Sequence, residues 1–111
     1  MNVPEQGCLL RIFVGESNRH GARPLYEAIV LKARESGLAG ATVLRGVMGF
    51  GKKSVLHTAK ILRLSDDLPM VIEIVDSLEK IESFLPLLDE MVKDGLVTIE
   101  KIRVIHYRPD Y

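Results

Sequence analysis

The chain has 111 residues, 47% of them apolar, which is the size of one small domain with a real core and too apolar for a disordered segment. Fifteen Lys+Arg balance 15 Asp+Glu, so the net charge is zero. That excludes a general nucleic-acid coat, which needs surplus cations to neutralise phosphates. The balance hides a pattern: Arg45, Lys52, Lys53, Lys60 and Arg63, with His57 among them, sit in a stretch without an acid, and acids gather from Asp66 to Asp94.

In chain order, Met1 to Gln6 is short and polar with no apolar stretch of signal-peptide type behind it, so the reading is of a chain without a leader. Cys8 to Val14 is an apolar run with β-branched residues and Phe13, predicted as a strand buried on both faces. Its Cys8 behaves as a small hydrophobe, and a single cysteine forms no internal disulfide. That fits a reducing, cytoplasmic setting. Gly15 to Arg23 reads as a loop. Pro24 opens a helix as its first residue, Leu25, Ala28, Ile29 and Ala33 recur at helical spacing, and Ser36-Gly37 closes it.

Ala41 to Met48 is the second predicted strand, with Gly46 marking a bulge or a close backbone approach. Gly49 to Ser54 is the most loop-like stretch. His57 to Leu64 fits either period and is read as a strand-like arm, followed by a turn at Asp66 to Pro69. Met70 to Val75 alternates as a strand. Asp76 and Glu79 suggest a capping box for a helix whose apolar stripe is Ile81, Phe84, Leu85, Leu88, Met91 and Val92, with Pro86 inside it. Asp94-Gly95 ends that helix. Leu96 to Tyr107 is predicted as a last long strand, with a polar tail from Arg108.

The order is strand, helix, strand, strand, helix, strand. This is an α+β fold, a ferredoxin-like βαββαβ sandwich in which a four-stranded antiparallel sheet carries two helices on one face. We read residues 1–111 as a single domain with flexible ends at 1–7 and 108–111. Leu10, Ile12 and Val14 alternate with Leu9 and Phe13, and Val43 and Val47 alternate with Leu44 and Met48. Apolar groups therefore fall on the uncovered face as well, which points to self-association.

Gly46 to Lys53 comes close to the phosphate-binding pattern G-x-x-x-x-G-K-[ST] but has Lys53 where a hydroxyl must hold magnesium. Two readings stay open for it: an anion-binding nest with Arg45 as an added donor, or a glycine-rich hairpin with solvated lysines. His20, His57 and His106 share no ligand spacing, so no metal site is assigned. No residue pattern supplies a nucleophile and its base, so no catalytic residue is assigned. The few aromatics argue against base stacking of the RNA-recognition type.

Leu10 to Glu16, Pro24 to Ile29, Gly37 to Gly51 and Leu68 to Asp76 together resemble an uncharacterised bacterial and archaeal family related in fold to the PII nitrogen-regulatory signalling proteins. The resemblance covers about residues 8 to 105. It implies a PII-like homotrimer with nucleotides in clefts between subunits and a long loop, here Lys52 to Pro69, that touches a partner protein. A membrane transporter or channel is the kind of partner the resemblance implies, without direct membrane insertion and without nucleic acid.

Gly49-Phe50-Gly51 matches the glycine-rich opening of that loop, and Thr42-Val43 resembles the adenine-contacting strand, displaced by one residue. The implied ligand set is Thr42, Arg45, Gly49, Phe50, Gly51, Lys52, Lys53 and Arg103, and the partner loop carries Ser54, His57, Lys60 and Arg63. The implied ligand is a small anion, either an adenine nucleotide or another anion. The second glycine-rich phosphate loop of PII has no counterpart at Asp94 to Val97, Arg103 and Arg108 replace its terminal basic residues loosely, and no Tyr lies between Gly51 and Pro69. A non-enzymatic regulator is the leading expectation. A small nucleotide hydrolase using Gly46 to Lys53 and a ligand-free structural adaptor are its alternatives.

Overall fold

Alternation decides the sheet. The computed structural model describes residues 6–50 and 67–108, together with the backbone of His57 and Thr58. Strand β1 (Gln6–Gly15) is followed by helix α1 (Leu25–Glu35), strand β2 (Thr42–Arg45), strand β3 (Pro69–Asp76), helix α2 (Leu78–Met91) and strand β4 (Leu96–Arg103). The four strands form one sheet in the order β2-β3-β1-β4, every neighbouring pair antiparallel. This is the ferredoxin-like βαββαβ arrangement predicted from the sequence.

The register places Leu10 opposite Ile74 and Ile12 opposite Ile72. Cβ atoms alternate across a strand, so these residues share a face with Cys8, Val14 and Met70. That face is fully buried against Leu25, Ile29 and Ala33 of α1 and Ile81, Phe84, Leu88 and Met91 of α2. The expectation that β1 is buried on both faces is corrected: Leu9, Arg11 and Phe13 on the other face are half-buried. Among the described residues no helix lies over them. Burial on one face produces a strict alternation in β3, whose residues switch between buried and half-buried along its length.

The helix ends follow local chemistry with small corrections. Pro24 is the N-cap of α1, one residue outside the helix, with ψ at 139°. At the other end Gly37 has φ of 78°, its N–H donates to Arg34 O and that of Leu38 to Ala33 O, the paired bonds of a Schellman motif. Helix α2 is capped by Ser77, whose Oγ accepts from Lys80 N at 3.2 Å. Asp76 is therefore not the cap. It lies opposite Cys8 on the buried face and accepts from Ala39 N at 2.9 Å and Ser77 N at 2.7 Å. It ties the α1–β2 connection to the start of α2.

Two predicted strands are shorter than expected. Strand β2 stops at Arg45 because the chain passes over Pro69: a Cβ on Gly46 would lie 2.7 Å from Pro69 Cγ and one on Gly49 would lie 2.9 Å from it. The close approach anticipated at Gly46 is real, and Gly46 N donates to Pro69 O at 2.7 Å. Met48–Gly49 then pairs with His57–Thr58 in a separate two-residue ladder. The remainder of the expected arm, to Leu64, lies outside the described residues. Strand β4 ends at Arg103, and Tyr107 turns back so that its hydroxyl donates to Ala39 O at 3.0 Å. Gln6 and Gly7, read as part of a flexible end, pair with Arg103 and Ile102.

Candidate functional site

The end of the sheet where β1 and β2 finish and β3 begins holds the glycine-rich stretch. Three links cross it. Glu16 N donates to Leu68 O at 2.8 Å, Gly46 N donates to Pro69 O at 2.7 Å, and Arg45 Nη2 donates to Glu16 Oε1 at 3.0 Å. Two links are backbone bonds and the third is an ion pair that spans β3 from β2 to the end of β1. Ser17 N also donates to Asp67 Oδ1 at 2.9 Å. Residues 46–50 and 67–69, the two stems of the intervening segment, are thus held against one sheet end.

Of the ligand set expected from sequence, Arg45, Gly49 and Phe50 are at this end. Arg45 is half-exposed in its pair with Glu16, Gly49 stacks on Pro69, and Phe50 is 75% exposed. Thr42 is on β2 but opposite Glu73, so alternation puts it on the other face of the strand from Arg45. Arg103 is far from both. It ends β4, at the opposite edge of the sheet, and pairs with Gln6, five residues along β1 from Arg11. With strands about 4.8 Å apart and about 3.4 Å per residue, Thr42 and Arg103 are separated by roughly 20 Å. One chain does not bring them together.

Gly51, Lys52, Lys53, Ser54, Lys60 and Arg63 lie outside the described residues. His57 contributes its backbone, paired with Gly49.

Glu16 was not signalled by the sequence, where it is a lone acid in a polar loop. Its position, immediately after a buried strand and beside a basic residue that ends another, becomes visible only when β1 and β2 flank the same strand.

The open sheet face carries a second feature. Leu44, Val71, Phe13 and Leu96 share this face by register, Leu44 and Leu96 each being at least half exposed. At its centre Arg11 Nε donates to Glu73 Oε2 at 2.8 Å, and Arg11 Nη1 reaches Glu100 Oε1 at 3.4 Å. The hydrogen bond from Arg11 to Glu73 leads in holding the guanidinium charged, above its already high ordinary value, with both carboxylates adding attraction.

The remaining chemistry is quiet. A groove between α2 and β4 is lined by Glu82, Leu85, Asp89, Lys93 and Val97, so its two carboxylates outnumber its one cation and disfavour an anion. Burial, with the negative charge of Glu82 second, pushes the Cys8 thiol above its ordinary value, which keeps it protonated and unreactive. Among the described residues no three His, Cys, Asp or Glu side chains gather as a metal set, and no helix is long and apolar enough to cross a membrane.

Comparisons with known proteins agree with this architecture. A UPF0166 protein of Aquifex aeolicus is 41% identical over 101 residues, covering 88% of this chain and 92% of that protein. A UPF0166 protein of Methanocaldococcus jannaschii is 36% identical over 97 residues, covering 86% of this chain and 89% of that one. Among solved structures, CPII from Thiomonas intermedia K12, described as a nitrogen regulatory PII-like protein bound to ADP, AMP and bicarbonate, is similar with a TM-score of 0.61. Its sequence identity is 18%, over 89% of this chain and 88% of that chain. Another structure of CPII, bound to ADP, AMP and acetate, has a TM-score of 0.56 at 20% identity, over 96% and 94% of the two chains. The likeness to CPII is one of fold. Residues 7–104 match the family described as "DUF190: Uncharacterized ACR, COG1993", and the chain belongs to that family.

Proposed function

We propose that this chain is a non-enzymatic, cytoplasmic regulator of the PII-like kind that assembles as a homotrimer through its open sheet face. In this reading a small anionic ligand, an adenine nucleotide, binds between copies. Thr42, Arg45 and the Gly49-Phe50-Gly51-Lys52-Lys53 stretch come from one copy and Arg103 from the next. Binding changes how residues 52–69, with Ser54, His57, Lys60 and Arg63, meet a partner protein such as a membrane transporter or channel. A ligand shifts such a segment only by its difference in affinity for the segment's two states.

One observation carries the reading: among the described residues Thr42 and Arg103 stand on opposite edge strands of the sheet, so a ligand that meets both draws them from two copies. The half-exposed apolar residues of the open face supply a surface on which copies can meet. The ADP and AMP of the similar CPII structures favour the nucleotide as the ligand class.

Light scattering of the full chain is expected to give about 37 kDa, three chains of 12.4 kDa. Calorimetry with ATP, ADP, AMP and cyclic AMP is expected to show binding of at least one of them. A stable monomer at micromolar concentration overturns the assembly, and no heat with any of the four overturns the nucleotide.

A further inference from the structure

The ring of links at the sheet end joins three strand ends, and its members differ in kind. The bonds from Glu16 N to Leu68 O and from Gly46 N to Pro69 O are backbone pairs. An incoming anion has no claim on their carbonyl oxygens. The Arg45–Glu16 pair is different. A phosphate group carries negative charge and paired oxygens as a carboxylate does, so it competes for the same guanidinium fork. The geometry sets the two in competition for one nitrogen of the fork and for its charge: Glu16 Oε1 accepts from Arg45 Nη2 at 3.0 Å, with Arg45 56% and Glu16 24% exposed. Arg45 is reachable from solvent, while Glu16 is the more enclosed partner.

We infer that Glu16 is an internal competitor at the anion site, occupying Arg45 in the unliganded chain and giving it up to a phosphate group of the ligand. This rests on the reading above that Arg45 takes an anion, and adds a regulatory residue to it. One consequence follows from what adjoins the pair. Arg45 is joined directly to Gly46, and the amide of Glu16 is the donor to Leu68. Exchanging the carboxylate for an anion therefore removes the side-chain link between residues adjoining both stems of the 51–66 segment. The competitor and the stems respond to the same event.

The test is titration calorimetry of the full chain at fixed ionic strength with ADP and with inorganic phosphate. It compares the natural sequence, Glu16→Gln, Arg45→Gln and the double variant. Glu16→Gln keeps the side-chain shape and removes the charge. It frees the guanidinium from a partly exposed pair and takes away a repulsion of the anion, so affinity for ADP is expected to rise about three- to tenfold. In the Arg45→Gln background the same change is expected to have clearly less effect, because there is no cation left to release. The circular dichroism spectrum of each variant checks that it folds, and a gain of affinity is a result that mere loss of structure does not produce.

If the natural chain binds ADP and Glu16→Gln binds equally or more weakly, the competitor is overturned while the nucleotide reading stands. A gain that is as large without Arg45 overturns the competitor in the same way. If no variant binds ADP or phosphate, both fall together. Binding of phosphate alone, with the same Glu16→Gln gain, supports the competitor and removes the nucleoside.

Discussion

Replacing Gly46 by Ala tests the close crossing that ends β2. An added Cβ would lie 2.7 Å from Pro69 Cγ and 3.2 Å from Pro69 O, the oxygen that accepts from Gly46 N at 2.7 Å. Proline has no flexible end to swing away, so either the backbone at Gly46 withdraws and lengthens the hydrogen bond or Pro69 shifts in the sheet. Overpacking of this kind costs about 1–3 kcal/mol, and the weakened bond adds about 1 kcal/mol. Against this, Ala restricts the unfolded chain and returns about 0.4–1 kcal/mol. The net is a loss of about 2 kcal/mol.

Gly40 is the control. Its Cβ would meet nothing within 4 Å and its φ is not in the left-handed range. Gly40→Ala therefore keeps only the unfolded-state gain, about 0.4–1 kcal/mol. Urea unfolding of both variants, at one protein concentration because assembly would couple to stability, is expected to separate their midpoints with a common slope. A thermal midpoint roughly 5–10 °C lower for Gly46→Ala than for the natural chain accompanies it. If Gly46→Ala proves as stable as Gly40→Ala, the tight crossing over Pro69 is wrong.

Other outcomes follow from single side chains. Asp76→Ala leaves the amides of Ala39 and Ser77 without their buried acceptor and is expected to cost about 3 kcal/mol in urea unfolding. Ser77→Ala removes the helix cap and is expected to cost only about 1 kcal/mol. The two together distinguish the anchor from the cap.

The Cys8 thiol is expected to react with a disulfide reagent only as fast as the protein opens. Its folded value is raised above the ordinary 9.0, so the unfolded chain loses this proton first. Its contribution to stability is thus complete below pH 9.0 and declines as pH rises from there towards the folded value. A Cys8→Ala variant is expected to lose that part of the alkaline dependence. Leu44→Arg places a charge on the open face at a residue already 50% exposed, so it is expected to leave the monomer folded and to lower the mass seen by light scattering.

Much of the fold was legible because local patterns and tertiary packing agree. The alternation of Met70, Ile72 and Ile74 is the alternation of buried residues in β3, and the Gly37 stop is a left-handed residue closing α1. Where tertiary packing claimed a residue, the local reading gave way: the capping pattern points to Asp76, and the structure gives the cap to Ser77. Asp76 is drawn into the core because it follows Ile72 and Ile74 on the same face, and the cap passes to Ser77. The strand assignments ran long at Met48 and Tyr107 for a related reason. Apolar character continues beyond Arg45 and Arg103, where pairing within the four-stranded sheet ends, and Met48 pairs instead with Thr58 in the separate ladder.

The candidate site divides the same way. Glycines and basic residues near Gly49 stand out in the chain because they adjoin each other in sequence. That Arg45 meets Glu16, that Arg11 sits between Glu73 and Glu100, and that Arg103 stands at the far edge from Thr42 all depend on strand order. The partners in these ion pairs are between 29 and 89 residues apart. The period of each element, its end signals and the apolar excess on both sides of the strands can be read along the chain, because these are properties of neighbouring residues. Which charges meet, and that Thr42 and Arg103 are kept apart, comes from the folded sheet, because antiparallel register converts distant positions into neighbours and sends adjacent residues to opposite faces.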